Sequence, residues 1–348
     1  MAIVWTEAFG SFTPSGTGWQ NYDIYTNLSV PKGAIAAIQM VYAGPSAVQD
    51  IGVRTDGSSL SRYIRPSGYA YTTSGNSNIM MYVKVDSSTG LIETYAASTT
   101  GVTFYLVGYW EGTDFTEQWT SCMPADGTWG EVNLNSVASV PVGRVAVILL
   151  GNKEAIANTL GVRTNGSAEV RSIPIRASAT SAVHRCLTFP VKTDGSGIVE
   201  IYSSDTANTS VYCIGYFDDK MDYVESAPVT GAVATASSWT ASGNQWDLTA
   251  ELDQDGRVCD IVCAHTRNGN YGYTVGVRID TSGLNRYLAS DRSDGTGYSP
   301  ACYPTQTGTT GIIQTWCSND NYDYIRYVGY YKDAVVIIPK SFGIILTA

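Results

Sequence analysis

Apolar and polar residues alternate with a period of two along much of the chain, which is the pattern of β-strands with one buried face. Segments 79–86 and 102–109 show this alternation and are rich in β-branched and aromatic residues. The residues Asp-Ser-Ser-Thr-Gly at 86–90 have the chemistry of a tight turn, so we expect a hairpin between 79–86 and 91–95. No long segment has the 3.6-residue periodicity of an amphipathic helix. The pattern therefore predicts an all-β protein.

The strand pattern occurs three times, and each copy carries the tripeptide Gly-Val-Arg followed eight residues later by a second arginine. The first arginines are Arg54, Arg163 and Arg278, and the second arginines are Arg62, Arg171 and Arg286. Each copy ends on a Gly-Tyr pair, and each begins near a tryptophan, at Trp19, Trp129 and Trp246. Repetition at this length indicates tandem copies of one domain.

The repeats divide the 348 residues into three predicted domains of ordinary size, namely 1–112, 113–219 and 220–348. Each copy has seven or eight short strand signals separated by turns, which predicts three tandem antiparallel β-sandwich, jelly-roll-like repeats. We expect linkers at 111–128 and 218–245. The apolar tail of the third domain either adds a strand that closes this domain or docks on a partner chain.

The composition favours a protein with an exterior type of surface. Only 15% of the residues are charged, whereas Gly, Ser, Thr, Asn and Tyr are abundant. The net charge is −10 and the basic residues are scattered, which argues against binding to nucleic acid or to anionic lipid. The N-terminal segment lacks the pattern of a secretory signal, and no apolar run reaches the length of a membrane helix. A virion protein assembled in the host cytoplasm would combine these properties.

The six repeated arginines are the best candidates for a structural or interface role. One reading is that they bridge a sheet to acidic or carbonyl groups, with Glu93 and Glu200 as partners and Gln314 in the third copy. The other reading is subunit contacts, in which equivalent arginines form a ring about a pseudo-threefold axis.

The cysteines leave two readings open, because their number is odd and none lies in the first repeat. They are small buried hydrophobes, or they form bridges within repeats two and three or between subunits. Cys186 and Cys213 are the favoured internal pair, since they fall on two predicted strands of one repeat. The complete set of disulfide candidates is Cys122, Cys186, Cys213, Cys259, Cys263, Cys302 and Cys317.

Other chemistry has less support in the sequence. Three acidic clusters, at 218–222, 253–256 and 320–323, lack the calcium-loop pattern and are expected to be solvated turns. No Cys-x-x-Cys motif occurs, and His184 and His265 are the only histidines, so we expect no zinc site. No catalytic or nucleotide motif occurs, so we expect a non-enzymatic protein without a cofactor. The tyrosines in predicted loops or at strand ends could stack on sugars; they are Tyr69, Tyr71, Tyr271, Tyr273 and Tyr298.

The combined motif resembles small β-rich proteins of tailed-phage structural modules. It runs Gly-Val-Arg-x-x-Gly-Ser, then Arg, then a hydrophobic-Glu-x-Tyr strand, then Val-Gly-Tyr, and the third repeat departs from it by an insertion and by Gln314. The resemblance implies a component of the virion exterior, as capsid decoration or cement or as part of a collar or fibre. We expect other virion proteins as partners and a homo-oligomeric state. The alternative function is that of a carbohydrate-binding adhesin or receptor-binding fibre.

Overall fold

The computed structural model describes residues 2–42, 49–66, 77–125, 127–153, 156–176, 185–230, 239, 245–265, 273–280, 282–284, 286–290, 300–317, 323–332 and 334–336. In these ranges the regular secondary structure is almost entirely β, which confirms the predicted fold class.

The described part of the first repeat has eight strands and one helix of a single turn. They are β1 (Ile3–Phe12), β2 (Gly18–Asp23), α1 (Ile24–Leu28), β3 (Ile35–Tyr42), β4 (Ile51–Thr55), β5 (Tyr63–Ile64), β6 (Ser77–Lys84), β7 (Leu91–Ala96) and β8 (Val102–Glu111).

The second repeat has the same succession of elements. They are β9 (Phe115–Ser121), β10 (Trp129–Asn133), α2 (Leu134–Ala138), β11 (Val145–Asn152), β12 (Ala157–Thr164), β13 (Ser172–Arg176), β14 (Arg185–Lys192), β15 (Ile198–Ser203) and β16 (Thr209–Phe217).

Among the described residues the third repeat has eight equivalent strands, and one further strand follows it. They are β17 (Tyr223–Thr230), β18 (Gln245–Asp247), β19 (Val258–His265), β20 (Tyr273–Ile279), β21 (Tyr287–Ser290), β22 (Ala301–Gln306), β23 (Ile312–Cys317), β24 (Asp323–Tyr331) and β25 (Ala334–Val336).

Each repeat folds as two four-stranded antiparallel sheets in the strand order of a jelly roll. In the first repeat one sheet has the order β1-β8-β3-β6 and the other has β2-β7-β4-β5, and both later repeats copy this order. The predicted hairpin across 86–90 is wrong in one respect. The turn exists, closed by a hydrogen bond from Gly90 N to Asp86 O, but β6 and β7 belong to different sheets, so the turn carries the chain across the sandwich.

The predicted linkers are also wrong, because 111–128 and 218–245 contain β9 and β17, the first strands of the second and third repeats. Both strands lie at a sheet edge, beside β16 and β24 respectively. Their most exposed residues, Thr116, Ser121 and Thr230, are polar, and an irregular register interrupts the alternation of each strand. Edge strands of this kind resemble linkers in sequence.

The chain ends meet at a seam between the third and first repeats. Strand β25 pairs in parallel with the start of β1, with Ile3 opposite Ala334 and Trp5 opposite Val336. The start of the apolar tail therefore adds a strand to the first repeat and not to the third domain. The remainder of the tail, 337–348, lies outside the described residues.

Candidate functional site at the junctions of the three repeats

The second arginine of each repeat lies at the junction with the next repeat. Arg62 is fully buried, and its Nη1 donates to Glu117 Oε1 in β9 at 2.7 Å. The same Nη1 donates to Val53 O, and Nη2 donates to Tyr82 O at 3.0 Å. One guanidinium thus joins two strands of the first repeat to the first strand of the second.

The two other junctions repeat this geometry. Arg171 Nη1 meets Glu225 Oε1 at 3.3 Å, which joins the second repeat to the third. Arg286 Nη1 meets Glu7 Oε1 at 2.8 Å, which joins the third repeat back to the first. Because each repeat holds the next and the last holds the first, the three jelly rolls close into a ring about a pseudo-threefold axis.

Backbone amides complete the pocket for each glutamate. Thr55 N donates to both carboxylate oxygens of Glu117, at 3.0 and 3.1 Å, and Thr164 N does the same for Glu225. Ile279 N donates to both oxygens of Glu7, and Gln306 N donates to Glu7 Oε1. Burial raises the pKa of Glu7, although Arg286 and these amides oppose the rise.

The glycines of both motifs are required by close approach to a neighbouring strand of the same repeat. A Cβ on Gly52 would lie 2.0 Å from Arg62 O, and one on Gly161 would lie 2.4 Å from Arg171 O. A Cβ on Gly215 would lie 2.2 Å from the ring of Phe115. The glycines of the Gly-Val-Arg and Gly-Tyr motifs are therefore required by close packing between neighbouring strands of one sheet.

A β-bulge supplies a further acceptor beside the Gly-Tyr motif. The register of β11 against β16 shifts so that Ile214 has no partner in the ladder, and Ile214 O accepts from Arg62 Nη2 at 3.0 Å. Val328 has the equivalent place in β24, and its carbonyl accepts from Arg171 Nε at 3.2 Å. The carbonyl that each bulge withdraws from its sheet is used to bind the preceding repeat.

Aromatic side chains from all three repeats fill the axis of the ring. Equivalent positions in β8, β16 and β24 place three rings in a triangle, with centroid distances of 6.4, 6.3 and 4.8 Å; the residues are Trp110, Phe217 and Tyr331. Each of these rings contacts an aromatic residue of its own repeat's first strand, which is Trp5, Phe115 or Tyr223. The axis is therefore a packed core shared by the repeats, and aromatic packing of this kind contributes strongly to stability.

One carboxyl group interrupts this apolar axis. Asp260 of β19 is buried, and neither of its carboxylate oxygens has a hydrogen-bond partner among the described residues. Burial raises its pKa to about 7, and the rise is opposed by the Tyr223 hydroxyl, by Arg171 and by Tyr331. These groups lie near the carboxylate without reaching hydrogen-bond geometry.

The first arginine of each repeat stays within its own sheet. Arg54 Nε donates to Glu93 at 2.7 Å, Arg163 Nε donates to Glu200 at 2.5 Å, and Arg278 Nε donates to Gln314 at 2.8 Å. The two arginine sets thus differ: the first set bridges strands of one sheet, and the second set bridges repeats.

A tryptophan stacks on each of these first arginines, at 4.0 to 4.3 Å from the guanidinium carbon to the ring centroid. The tryptophans are Trp19, Trp129 and Trp239. Trp246, the tryptophan near the start of the third repeat in the sequence motif, lies in β18 opposite Ile313, and the ring over Arg278 is that of Trp239.

The predicted disulfide between Cys186 and Cys213 is not formed. The two residues lie on β14 and β16, which flank β11 on opposite sides. Two strand spacings amount to roughly 10 Å, which exceeds the reach of a disulfide. All seven cysteines are free and buried in the single chain, and bridges to another subunit through Cys122 or the third repeat stay a prediction.

The remaining predicted sites have a plainer role or lie outside the described residues. Asp253 accepts two hydrogen bonds from Arg257, and Asp222 accepts one from Lys192. Residues 320–322 and four of the candidate tyrosines are not in the described ranges, and only the backbone of Tyr273 is described. No group of three or more metal-ligating side chains is found in the part of the chain that the structure describes. In that same part, no helix is long and apolar enough to cross a membrane.

Comparisons with known proteins identify no family. No family model and no curated protein matches the chain. Among solved structures, a chain from the turret assembly of an archaeal virus, described as a triple jelly roll fold, is 8% identical over 96% of this chain and 92% of that chain, with a TM-score of 0.18. The tandem CBM22-1–CBM22-2 domain of Paenibacillus barcinonensis Xyn10C is 11% identical over 63% of this chain and 90% of that chain, with a TM-score of 0.17. These TM-scores are too low to support an assignment of the fold, which therefore rests on the strand order of the sheets.

Proposed function

We propose that the chain is a non-enzymatic structural protein on the exterior of a virus particle, where three fused jelly rolls act as one threefold-like unit. Its role would be capsid decoration or cement, or a part of a collar or fibre. Its partners would be other virion proteins, and neither nucleic acid nor a membrane. The observation that carries the proposal is the closed ring.

The ring supports this function because it presents three similar faces at fixed angles. Equivalent buried ion pairs set the three junctions, so the spacing of the faces does not depend on the assembly of separate subunits. Three such faces match a position where three equivalent sites of a partner meet. Jelly rolls also occur widely in viral capsid and lectin domains, although the fold alone does not decide function.

The test is to measure the chain in purified particles. Particles of the encoding virus are banded on a density gradient, and the chain is quantified by mass spectrometry against the major capsid protein. We expect co-migration at a fixed copy number per particle and crosslinks to a capsid, neck or tail protein. A chain found only in the soluble fraction would overturn the proposal.

Carbohydrate binding is a second candidate, favoured by aromatic side chains on the outer face of the β2-β7-β4-β5 sheet. Tyr63 is 37% exposed and stacks on Tyr95 at 4.8 Å, and Trp19 lies beside Tyr95 and over Arg54. Half-exposed aromatic rings beside a charged group could stack on a sugar ring.

A glycan array tests this candidate. We expect saturable binding that Trp19→Ala abolishes, whereas Trp119→Ala, on a different sheet and stacked on Tyr212, leaves binding unchanged. Absence of binding, or equal loss in both variants, would remove the carbohydrate reading.

A further inference from the structure

The three repeats differ at one position of the axis in a way that their symmetry does not require. Ala37, Val147 and Asp260 are equivalent, because each lies opposite the glycine of the Gly-Tyr motif in its own sheet. Two repeats place a small apolar side chain there, and the third buries a carboxyl group. A buried carboxylate without hydrogen bonds is costly, so Asp260 is a weak point of the axis when it is ionised.

Groups from all three repeats lie close enough to Asp260 to interact with its charge: Tyr82 of the first, Arg171 of the second and Tyr331 of the third. Tyr82 from the first repeat meets Tyr331 of the third through their hydroxyl oxygens at 3.3 Å. Arg171 from the second repeat donates to the Tyr223 hydroxyl at 3.2 Å. Asp260 therefore lies where the first, second and third repeats converge.

We propose that Asp260 and the side chains around it, Tyr82, Arg171, Tyr223 and Tyr331, form a pH-sensitive contact between the repeats, here called the latch. In it the neutral form of Asp260 holds the three repeats together more tightly than the ionised form. The latch is a device of the ring itself and does not depend on the function proposed above.

Asp260 is the group of this cluster whose charge changes near neutral pH. Burial and the Asp260 charge raise the pKa of the other titratable acids around it well above their ordinary values; these groups are Tyr82, Tyr223, Tyr331, Cys259 and Cys302. Arg171 stays protonated throughout, since an arginine does not titrate in this range. The carboxylate at the neighbouring junction, Glu7, also has a raised pKa and must be controlled for.

The direction of the pH effect follows from the raised pKa of Asp260. The folded ring binds a proton that the unfolded chain, with an ordinary carboxyl, has already lost. The stabilisation is complete below the ordinary value of 3.8 and is lost as pH rises through about 7. The full effect on the folding equilibrium constant is about a thousandfold.

The test compares the intact protein with Asp260→Val, which copies Val147, and with Asp260→Asn, which keeps the shape without the charge. Urea unfolding is followed at pH 4, 5, 6, 7 and 8. We expect the ratio of folding equilibrium constants, native over Asp260→Asn, to fall steadily between pH 4 and pH 7 and then to level off. Glu7 and other groups titrate in both proteins and cancel in this ratio.

Two results would overturn the latch: a ratio that does not change with pH, or one that falls towards acid. Should either variant fail to fold, the carboxyl carbon resonance of Asp260 is followed by NMR in the native protein. A midpoint close to the ordinary aspartate value would equally reject the proposal, and a midpoint near 7 would support it.

Discussion

Replacement of Arg62 by methionine tests whether the junctions hold the ring together. Methionine keeps the length of the side chain but removes the hydrogen bonds to Glu117, Val53, Tyr82 and Ile214. The carboxylate of Glu117, whose side chain is 7% exposed, then has no cationic partner and keeps only the hydrogen bonds from Thr55 N. Breaking a buried pair in this way costs about 3–5 kcal/mol of unfolding free energy.

The matched control is Arg65→Met, because Arg65 also forms a two-point ion pair, with Asp50 at 2.9 and 3.1 Å, but its side chain is 45% exposed. Loss of an exposed pair costs about 0–1 kcal/mol. Both variants are unfolded in urea and followed by tryptophan fluorescence, which reports the axis through Trp5 and Trp110.

The double variant Arg62→Met/Glu117→Met separates the charge effect from the packing effect. When both charges are removed, no charge stays buried without a partner, so we expect the double variant to be less destabilised than the sum of the two single variants. The reasoning is refuted if Arg62→Met and Arg65→Met agree within about 1 kcal/mol.

Three further predictions follow from the packing of the repeats. Gly52→Ala should lower the free energy of unfolding by about 1–3 kcal/mol in thermal or urea unfolding, because the new Cβ would meet the backbone oxygen of Arg62. Gly195→Ala is the control: it has open space around it and should change the free energy of unfolding by less than about 0.5 kcal/mol. Trp129→Leu should remove the stacking on Arg163 and lower the unfolding free energy by about 0.5–2 kcal/mol; an unchanged urea midpoint would contradict this role. The thiol of Cys213, whose pKa burial raises to about 12, should react with a maleimide only after unfolding, and rapid labelling of the native protein would show that the second repeat opens.

The amino-acid sequence was sufficient to predict the three repeats and the partners of the first arginine in each repeat. Arg54 and Arg163 find Glu93 and Glu200 at the expected positions of one sheet, because both partners carry the period-two strand pattern. Gln314 keeps the same hydrogen bond in the third repeat without the charge.

The partners of the second arginines could not be found by the same reasoning, because they lie in the following repeat. Glu117 and Glu225 are in β9 and β17, edge strands that resemble linkers. One signal was present in the sequence: Glu117 follows Arg62 by 55 residues, and Glu225 follows Arg171 by 54. The third partner, Glu7, precedes its arginine in the chain, so the series is recognisable only once the ring is closed.

The fusion of three repeats into one chain has a consequence for the chemistry of the axis. An assembly of three identical subunits repeats every axial residue three times, so an aspartate there would bring three like charges together. In a single chain, Ala37, Val147 and Asp260 can differ at one equivalent position. A covalently joined pseudo-trimer can therefore place a single carboxyl group at its centre, whereas a trimer of identical subunits must place three or none.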